Sequence, residues 1–187
     1  MIKEFNTYLK NADSDFWRDM CYKHGIRKIL KKGEIFAEKG NVARYLCYIQ
    51  DGSMKYVVYT SDGDEKVIGL ETVGGFAASF PYCLHNLPSV ATIIVNTESE
   101  VYSLPVEKIK ELASIDPFMQ QKIEETLEAV FYNIYDRYIE LYALSPKERY
   151  DKLIKRCPQL FDIFQIKDIA SYLGITHQYL NRLRKNS

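Results

Sequence analysis

The sequence predicts an α+β fold in three consecutive parts: a barrel or roll of short strands, one long helix, and a helix-turn-helix. Three observations carry that reading. Residues 26–105 alternate short β-forming runs with glycine turns, residues 116–144 hold an unbroken helical apolar period, and residues 166–187 place apolar side chains and one glycine at helix-turn-helix spacing. A chain of 187 residues that is 47% hydrophobic and 13% aromatic can bury a core, in one large or two small domains.

Taken in order, Ser14 is the expected cap of a first helix through Phe16, Trp17, Met20 and Cys21, ended by Gly25. Four glycine-centred reversals follow, at Lys32-Gly33-Glu34, Lys39-Gly40-Asn41, Asp51-Gly52-Ser53 and Asp62-Gly63-Asp64. Between and after them, residues 45–49, 55–59, 66–70, 90–95 and 101–104 read as strands. Regular short strands of this kind predict a compact barrel or β-roll.

After Pro105 the period becomes helical. Asp116-Pro117 is a helix start with proline at the first helical position, and the helix should run to about Leu144. Ile123, Leu127, Val130, Ile134, Tyr138 and Leu141 form one apolar ridge, broadened by Phe131, Tyr135, Ile139 and Tyr142. One ridge can be covered by the β part, but two broad stripes need two covers, which predicts a parallel homodimer. Ser145-Pro146-Lys147-Glu148 then restarts a helix with the residues of a capping box, and its apolar side is Tyr150, Leu153, Ile154 and Cys157. The expected division is 1–115, 116–144 and 145–187, with a hinge at Leu144-Ser145.

In the closing segment Ile166, Ile169 and Leu173 bury a short helix, Gly174-Ile175-Thr176 turns the chain, and Ile175, Leu180 and Leu183 bury the next helix. Ala170 is small where the two helices cross, and Gly174 stands where a positive φ is needed. At about 100° per residue the second helix separates Thr176, Leu180 and Leu183, with Tyr179 at their edge, from an arc of His177, Gln178, Asn181, Arg182, Arg184 and Lys185. Such an arc suits the DNA major groove: Arg reads guanine and Gln or Asn reads adenine, while Lys167, Arg184 and Lys185 suit phosphates.

Net charge is zero, yet residues 145–187 hold nine Lys/Arg against four Asp/Glu, and residues 1–144 hold sixteen against twenty-one. A basic end on an acidic body fits a DNA-binding module joined to a domain of another kind. Cys21, Cys47, Cys83 and Cys157 have no metal-ligand spacing and predict free thiols in a reducing compartment. The polar opening Met1-Ile2-Lys3-Glu4-Phe5-Asn6 predicts no signal peptide. The charge-free stretch 72–97 is too broken by Gly, Pro, His and Asn to span a membrane, so a cytoplasmic protein is expected.

In this order of parts the chain resembles the Crp/Fnr family of bacterial transcription regulators. The likeness rests on Ile169-Ala170-Ser171-Tyr172-Leu173-Gly174-Ile175-Thr176 and Ser145-Pro146-Lys147-Glu148-Arg149-Tyr150, and less strongly on Lys32-Gly33-Glu34-Ile35-Phe36 and Gln50-Asp51-Gly52-Ser53-Met54-Lys55. The wording around Ala170 is similar to the Bacteroidetes branch. The resemblance implies a cyclic-nucleotide-binding-like β-roll, a dimerisation helix and a winged-helix-like domain that binds palindromic promoter DNA. It also implies half-sites about 34 Å apart and a switch by rotation at the Leu144-Ser145 hinge. Its partners would be double-stranded DNA, a second copy and RNA polymerase, with no membrane.

The family's base-contacting glutamate and arginine fall on Gln178 and Arg182, and His177 stands where the family often has arginine, so the familiar half-site is not assumed. Thr176 opens this reading helix. Few residues follow it, so the β-hairpin wing is expected to be missing or truncated and the salt dependence of binding shallow.

Cyclic nucleotide binding in the family uses a Gly-Glu pair and an Arg-Ser/Thr-Ala run, which fall here on Ala78-Ser79 and Ser89-Val90-Ala91. Both charged ligands are missing and residues 72–97 supply no substitute, so neither cAMP nor cGMP is expected to bind and no cofactor is expected. Phe76, Ser79, Phe80, Ser89 and Val90 are the candidate effector-pocket residues. Phe76 and Phe80, with Tyr82 and Leu84, suit an apolar cavity or an ordinary core, and the sequence favours the core. His85 reads as structural rather than as a haem ligand. A cupin-like enzyme would need several His and a Glu around a metal, and the β region holds only His85, so neither catalysis nor a metal is expected. The remaining alternative is a ligand-free regulator or one that acts through protein partners.

Overall fold

The structure, a computed structural model, describes Asn6 and residues 11–185. Met1 to Phe5, on which the signal-peptide expectation rests, lie outside the described residues, as does everything beyond Lys185 on which the wing expectation rests. The fold is α+β, with an antiparallel roll followed by helices. Strands β1 (Ile26–Leu30), β2 (Ile35–Ala37), β3 (Tyr45–Tyr59), β4 (Glu65–Thr72), β5 (Phe76–Ala77) and β6 (Thr92–Pro105) form one sheet of order β1-β6-β3-β4. β2 adds to β6 and β5 to β3, and every pairing is antiparallel.

Two strands are longer than the sequence suggests. Asp51-Gly52-Ser53 is not a reversal: β3 runs straight through it, paired to β6 on both sides with register shifts at Ile49/Asp51 and Asp51/Ser53. Gly52 has φ +94°, and a Cβ there would lie 2.6 Å from Glu98 O, so the glycine forms a bulge that lets β6 pass close by. The expected strands 90–95 and 101–104 likewise merge into β6. The other three glycine turns do join separate segments, and Asp62-Gly63-Asp64 closes the β3–β4 hairpin.

Helix α1 (Ser14–His24) starts one residue earlier than expected. Asp13 Oδ1 accepts from Phe16 N at 3.0 Å, so Asp13, not Ser14, is the cap, with the stronger acceptor at the right offset. After β6 comes an unanticipated helix, α2 (Val106–Ile115), which no side chain caps. The long helix α3 (Pro117–Ala143) begins at Asp116, whose Oδ1 accepts from Phe118 N at 2.9 Å. Then follow α4 (Pro146–Arg156), the short α5 (Leu160–Ile163), α6 (Ile166–Leu173) and α7 (His177–Lys185). The capping box of α4 is complete: Ser145 Oγ accepts from Glu148 N at 3.3 Å and Glu148 Oε2 accepts from Ser145 N at 2.8 Å.

The core has three centres. Inside the roll, Cys47, Ile49, Met54, Ile93, Val95 and Val101 pack together. One end of the roll is closed by Trp17 and Cys21 of α1, Ile109 of α2 and Met119 of α3 against Leu46 and Leu104. The third centre joins Val57, Val67 and Leu70 of the roll to Tyr150, Leu153, Leu160, Phe164, Ile169, Leu173 and Leu180 of the carboxyl-terminal helices.

The apolar ridge of α3 is divided differently from the expectation. Ile123 packs against the Trp17 centre, and Val130 lines a cavity beside the roll. Ile134, Tyr138 and Leu141 border the same cavity while remaining partly open to solvent, and the uncovered face is Phe131, Tyr135, Tyr138, Ile139 and Tyr142. Anchoring by Trp17, whose Nε1 donates to Thr126 Oγ1 at 2.7 Å, turns the first half of the ridge inward. The outward rings succeed one another along the helix, Phe131–Tyr135 at 5.8 Å, Tyr135–Tyr138 at 6.5 Å and Tyr138–Tyr142 at 4.8 Å.

Candidate nucleic-acid interface and effector cavity

α6 and α7 meet at Gly174, which has φ 68° and donates its N–H to Ser171 O at 3.0 Å, while Ile175 N donates to Ala170 O at 3.0 Å. That left-handed step ends α6 and aims α7 across it. Leu180 is fully buried, Ile175 and Leu183 pack on the same centre, and Thr176 Oγ1 accepts from Tyr179 N at 3.2 Å to cap α7. Thr176, His177, Gln178, Arg182, Arg184 and Lys185 are exposed, and Asn181 is half-exposed. Lys167, on α6, is exposed as well. The arc predicted to read DNA is therefore brought together on one open face.

Two of its cations have partners that spacing did not reveal. The Arg184 guanidinium lies 4.1 Å from the centre of the Phe161 ring, and that of Arg182 lies 5.2 Å from the Tyr179 ring. Stacking of this kind extends and orients an arginine without using its hydrogen-bonding edge. Phe161 comes from α5, which like α2 the sequence did not foretell.

The carboxyl-terminal helices are seated on the roll by polar contacts as well as by the shared core. Val67 N donates to Ser171 Oγ at 2.8 Å, and Asn96 Nδ2 donates to Ile163 O at 2.9 Å. Lys55 Nζ stands 3.1 Å from Asp168 Oδ1 and 2.7 Å from Glu65 Oε1. Burial disfavours the Lys55 charge, yet those two carboxylates win and its pKa is raised. Arg149 donates to Leu144 O at 2.7 Å and to Leu173 O at 3.2 Å, fastening the α3–α4 joint to the end of α6.

Beside the roll lies a cavity of about 630 Å³. Phe76, Ser79, Phe80, Ser89 and Val90, the five candidate pocket residues, all line it, as do Tyr82 and Leu84. Phe76 and Leu84 also pack against the Trp17 centre, so they are core and cavity wall at once, while Phe80 and Tyr82 belong to the cavity wall. Ala78 N donates to Tyr56 Oη at 3.1 Å, and Ser89 Oγ donates to Ala91 O at 2.6 Å. At the two positions singled out by the sequence, Ala78-Ser79 and Ser89-Val90-Ala91, the loop carries neither a carboxylate nor a cation.

One cationic residue from outside the loop also belongs to the lining, and it borders a second, smaller pocket formed with Glu140, Arg149 and Arg156. This residue, Arg137 of α3, lines the cavity together with Tyr172 of α6. Arg137 Nη2 donates to Tyr172 O at 2.7 Å, and the guanidinium lies 3.4 Å from the centre of the Tyr172 ring. Burial lowers its pKa. Among the described residues no group of three or more His, Cys, Asp or Glu could hold a metal, and no helix is long and apolar enough to cross a membrane.

Roll, long helix and helix-turn-helix define a class of protein in which a ligand-binding type of domain carries a nucleic-acid-binding type of motif. Residues 27–116 match the family described as the cyclic nucleotide-binding domain. The chain is 25% identical over 173 residues to the fumarate and nitrate reduction regulatory protein of Yersinia pestis, a match covering 84% of this chain and 66% of that protein. It is also 24% identical over 150 residues to a cAMP-dependent protein kinase regulatory subunit of Blastocladiella emersonii, covering 68% of this chain and 36% of that protein, so the chain spans only part of the length of these relatives. The solved structure of FixK2 from Bradyrhizobium japonicum superposes with a TM-score of 0.75 at 16% identity, covering 87% of this chain and 83% of that one. A Crp/Fnr-family regulator from Eubacterium rectale does so with a TM-score of 0.67 at 14% identity, covering 90% and 80%. Homologues and structural neighbours are thus Crp/Fnr-type transcriptional regulators, and the fold is theirs; nothing narrows the likeness to the Bacteroidetes branch.

Proposed function

We propose that this protein is a Crp/Fnr-type regulator that binds palindromic promoter DNA as a homodimer through α7, and that it does so without cAMP or cGMP. The observation that carries the reading is the exposed arc Gln178, Asn181 and Arg182 on a helix whose other face is fixed by Leu180 and a left-handed glycine turn. Gln178 and Arg182 supply base readers, His177 flanks them, and Lys167, Arg184 and Lys185 supply phosphate contacts. The uncovered aromatic face of α3 supports pairing with a second copy, as the family's long helices do. RNA polymerase as a further partner and a cytoplasmic location follow from the same family analogy.

Selection of bound fragments from genomic DNA, followed by binding titrations at graded salt, tests the reading. Arg182→Ala should remove about 1–3 kcal/mol of discrimination between the selected site and random DNA. An equal loss on both would assign Arg182 to the backbone, and no sequence-dependent binding by the unaltered protein would overturn the reading. Calorimetry with cAMP and cGMP should show no saturable binding at micromolar concentration; a saturable isotherm would refute that part.

A further inference from the structure

We infer that the cavity is a binding site for a small amphipathic acid, an apolar aromatic or alkyl body bearing one carboxylate, and that Arg137 is the carboxylate's partner. The inference deepens the regulator reading, since it names the class of effector, and it rests on that reading for its physiological meaning.

Size and lining set the body of the ligand. A volume of about 630 Å³ lies within the range of roughly 300–1,000 Å³ typical of small-molecule sites. Trp17, Leu70, Phe76, Phe80, Val90 and Val130 contribute apolar wall from the amino-terminal helix, the roll, the loop and α3. Water in such a space has few partners, and an apolar ligand that displaces it gains the free energy of buried surface.

Arg137 sets the head group. No carboxylate of the described residues pairs with it. Glu140, its acidic neighbour on α3, is engaged by Lys152 at 3.1 Å and Arg156 at 4.0 Å. One edge of the guanidinium serves Tyr172 O, and its other donors have no partner among the described residues. They are not sealed in protein either, since the buried side-chain donors and acceptors without partners among the described residues are Ser103 Oγ and Arg156 Nε. Arg137 lines the cavity and keeps donors unused, and a planar fork of this kind matches a carboxylate through two parallel hydrogen bonds. Desolvation already disfavours the Arg137 charge, and an anion beside it offsets that cost. Glu71, the acidic residue of the lining, does not compete for this role. It lies against Gly75 at the turn before β5, and Arg137 feels Glu140 and Arg156 rather than Glu71.

The arrangement differs from a cyclic-nucleotide site in where the cation comes from. Here it comes from the long helix and touches the output motif, whereas the loop at Ser89-Val90-Ala91 is uncharged. A neutral loop and a cationic helix favour a ligand whose charge is at one end and whose remainder is apolar.

Trp17 is the chain's single tryptophan and lines the cavity, so its fluorescence reports occupancy directly. The probes are decanoate with decanamide, and 1-naphthylacetate with 1-naphthylacetamide, titrated into the full chain without DNA. In each pair the carboxylate should bind at least tenfold more tightly than the amide. Arg137→Gln should erase that preference while keeping the amide's affinity, and Val130→Phe, which fills the cavity away from the arginine, should weaken both members at least tenfold. Thermal melts show whether each variant is folded; were Arg137→Gln unfolded, the wild-type preference together with Val130→Phe decides. Equal binding within the pairs, an unaltered preference in folded Arg137→Gln, or no response of Trp17 to any probe at millimolar concentration would overturn the proposal. DNA binding by the ligand-free protein is measured separately, so failure of the regulator reading leaves this result legible.

Discussion

At the residue scale, Gly174 and the cysteines make the sharpest tests. Gly174 has φ 68°, and a Cβ there would sit 3.6 Å from Leu141 Cδ2, an ordinary contact. The cost of Gly174→Ala is therefore conformational rather than steric, about 1 kcal/mol once the stiffer unfolded chain is allowed for. A denaturant melt should show that loss, with Gly174→Asn losing less because asparagine tolerates the left-handed region. All four cysteines are free and buried. Burial pushes the Cys21 thiol up to about 12 and the Cys83 thiol up to about 11, and raises Cys47 and Cys157 as well. In the native state at pH 8 they should resist an aromatic disulfide reagent and react on unfolding. Because the folded pKa values lie above the unfolded ones, stability is unaffected below about pH 8.5. It falls as pH rises beyond that, by up to about 1.4 kcal/mol per pH unit for each thiol. A pH series of melts reads the slope. The exposure of Gln178 and Arg182 was legible because helical period alone separates them from Leu180 and Leu183. Arg137 was not, since nothing in the sequence says that a residue of the long helix faces the loop 50 residues before it.

At the scale of elements, the capped helices were legible and the strands were less so. Asp116-Pro117 and Ser145-Pro146-Lys147-Glu148 place their helices because a cap is local chemistry between neighbours in sequence. Asp51-Gly52-Ser53 misled because a left-handed glycine serves a turn and a bulge equally, and the choice depends on β6, a distant strand. The inward and outward sides of α3 were blurred for the same reason: the period reveals an apolar ridge, but its rotation is set by distant contacts such as Trp17–Thr126, Lys122–Asp13 and Arg137–Tyr172. The outward rings predict where a second copy sits. Phe131 is 61% and Tyr135 51% exposed, so replacing ring by charge there does not disturb the subunit's own core. The double variant Phe131→Glu, Tyr135→Glu should sediment as a folded monomer at concentrations where the unaltered chain is a dimer. A dimer that survives both charges would move the seam elsewhere.

For the whole molecule, the division at Leu144-Ser145 is a division of the chain more than of its energetics. Val57, Val67 and Leu70 of the roll share a core with the output helices, and Lys55–Asp168, Val67–Ser171 and Asn96–Ile163 cross the same joint. The chain should therefore unfold in one calorimetric transition, with calorimetric and van't Hoff enthalpies in agreement. Two separated peaks would show that the joint is weak.

That shared core also limits how an output domain of this kind can move. Detaching α4–α7 from the roll would bare Val57, Val67 and Leu70, each costing roughly 1.5–3 kcal/mol to return to water. A ligand of modest affinity cannot meet such a sum, whereas a slide of α6 along β4 keeps apolar surface on apolar surface throughout. A ligand that re-aims α7 is accordingly expected to act as on a bearing, by a glide of the carboxyl-terminal helices over the roll rather than by freeing them from it.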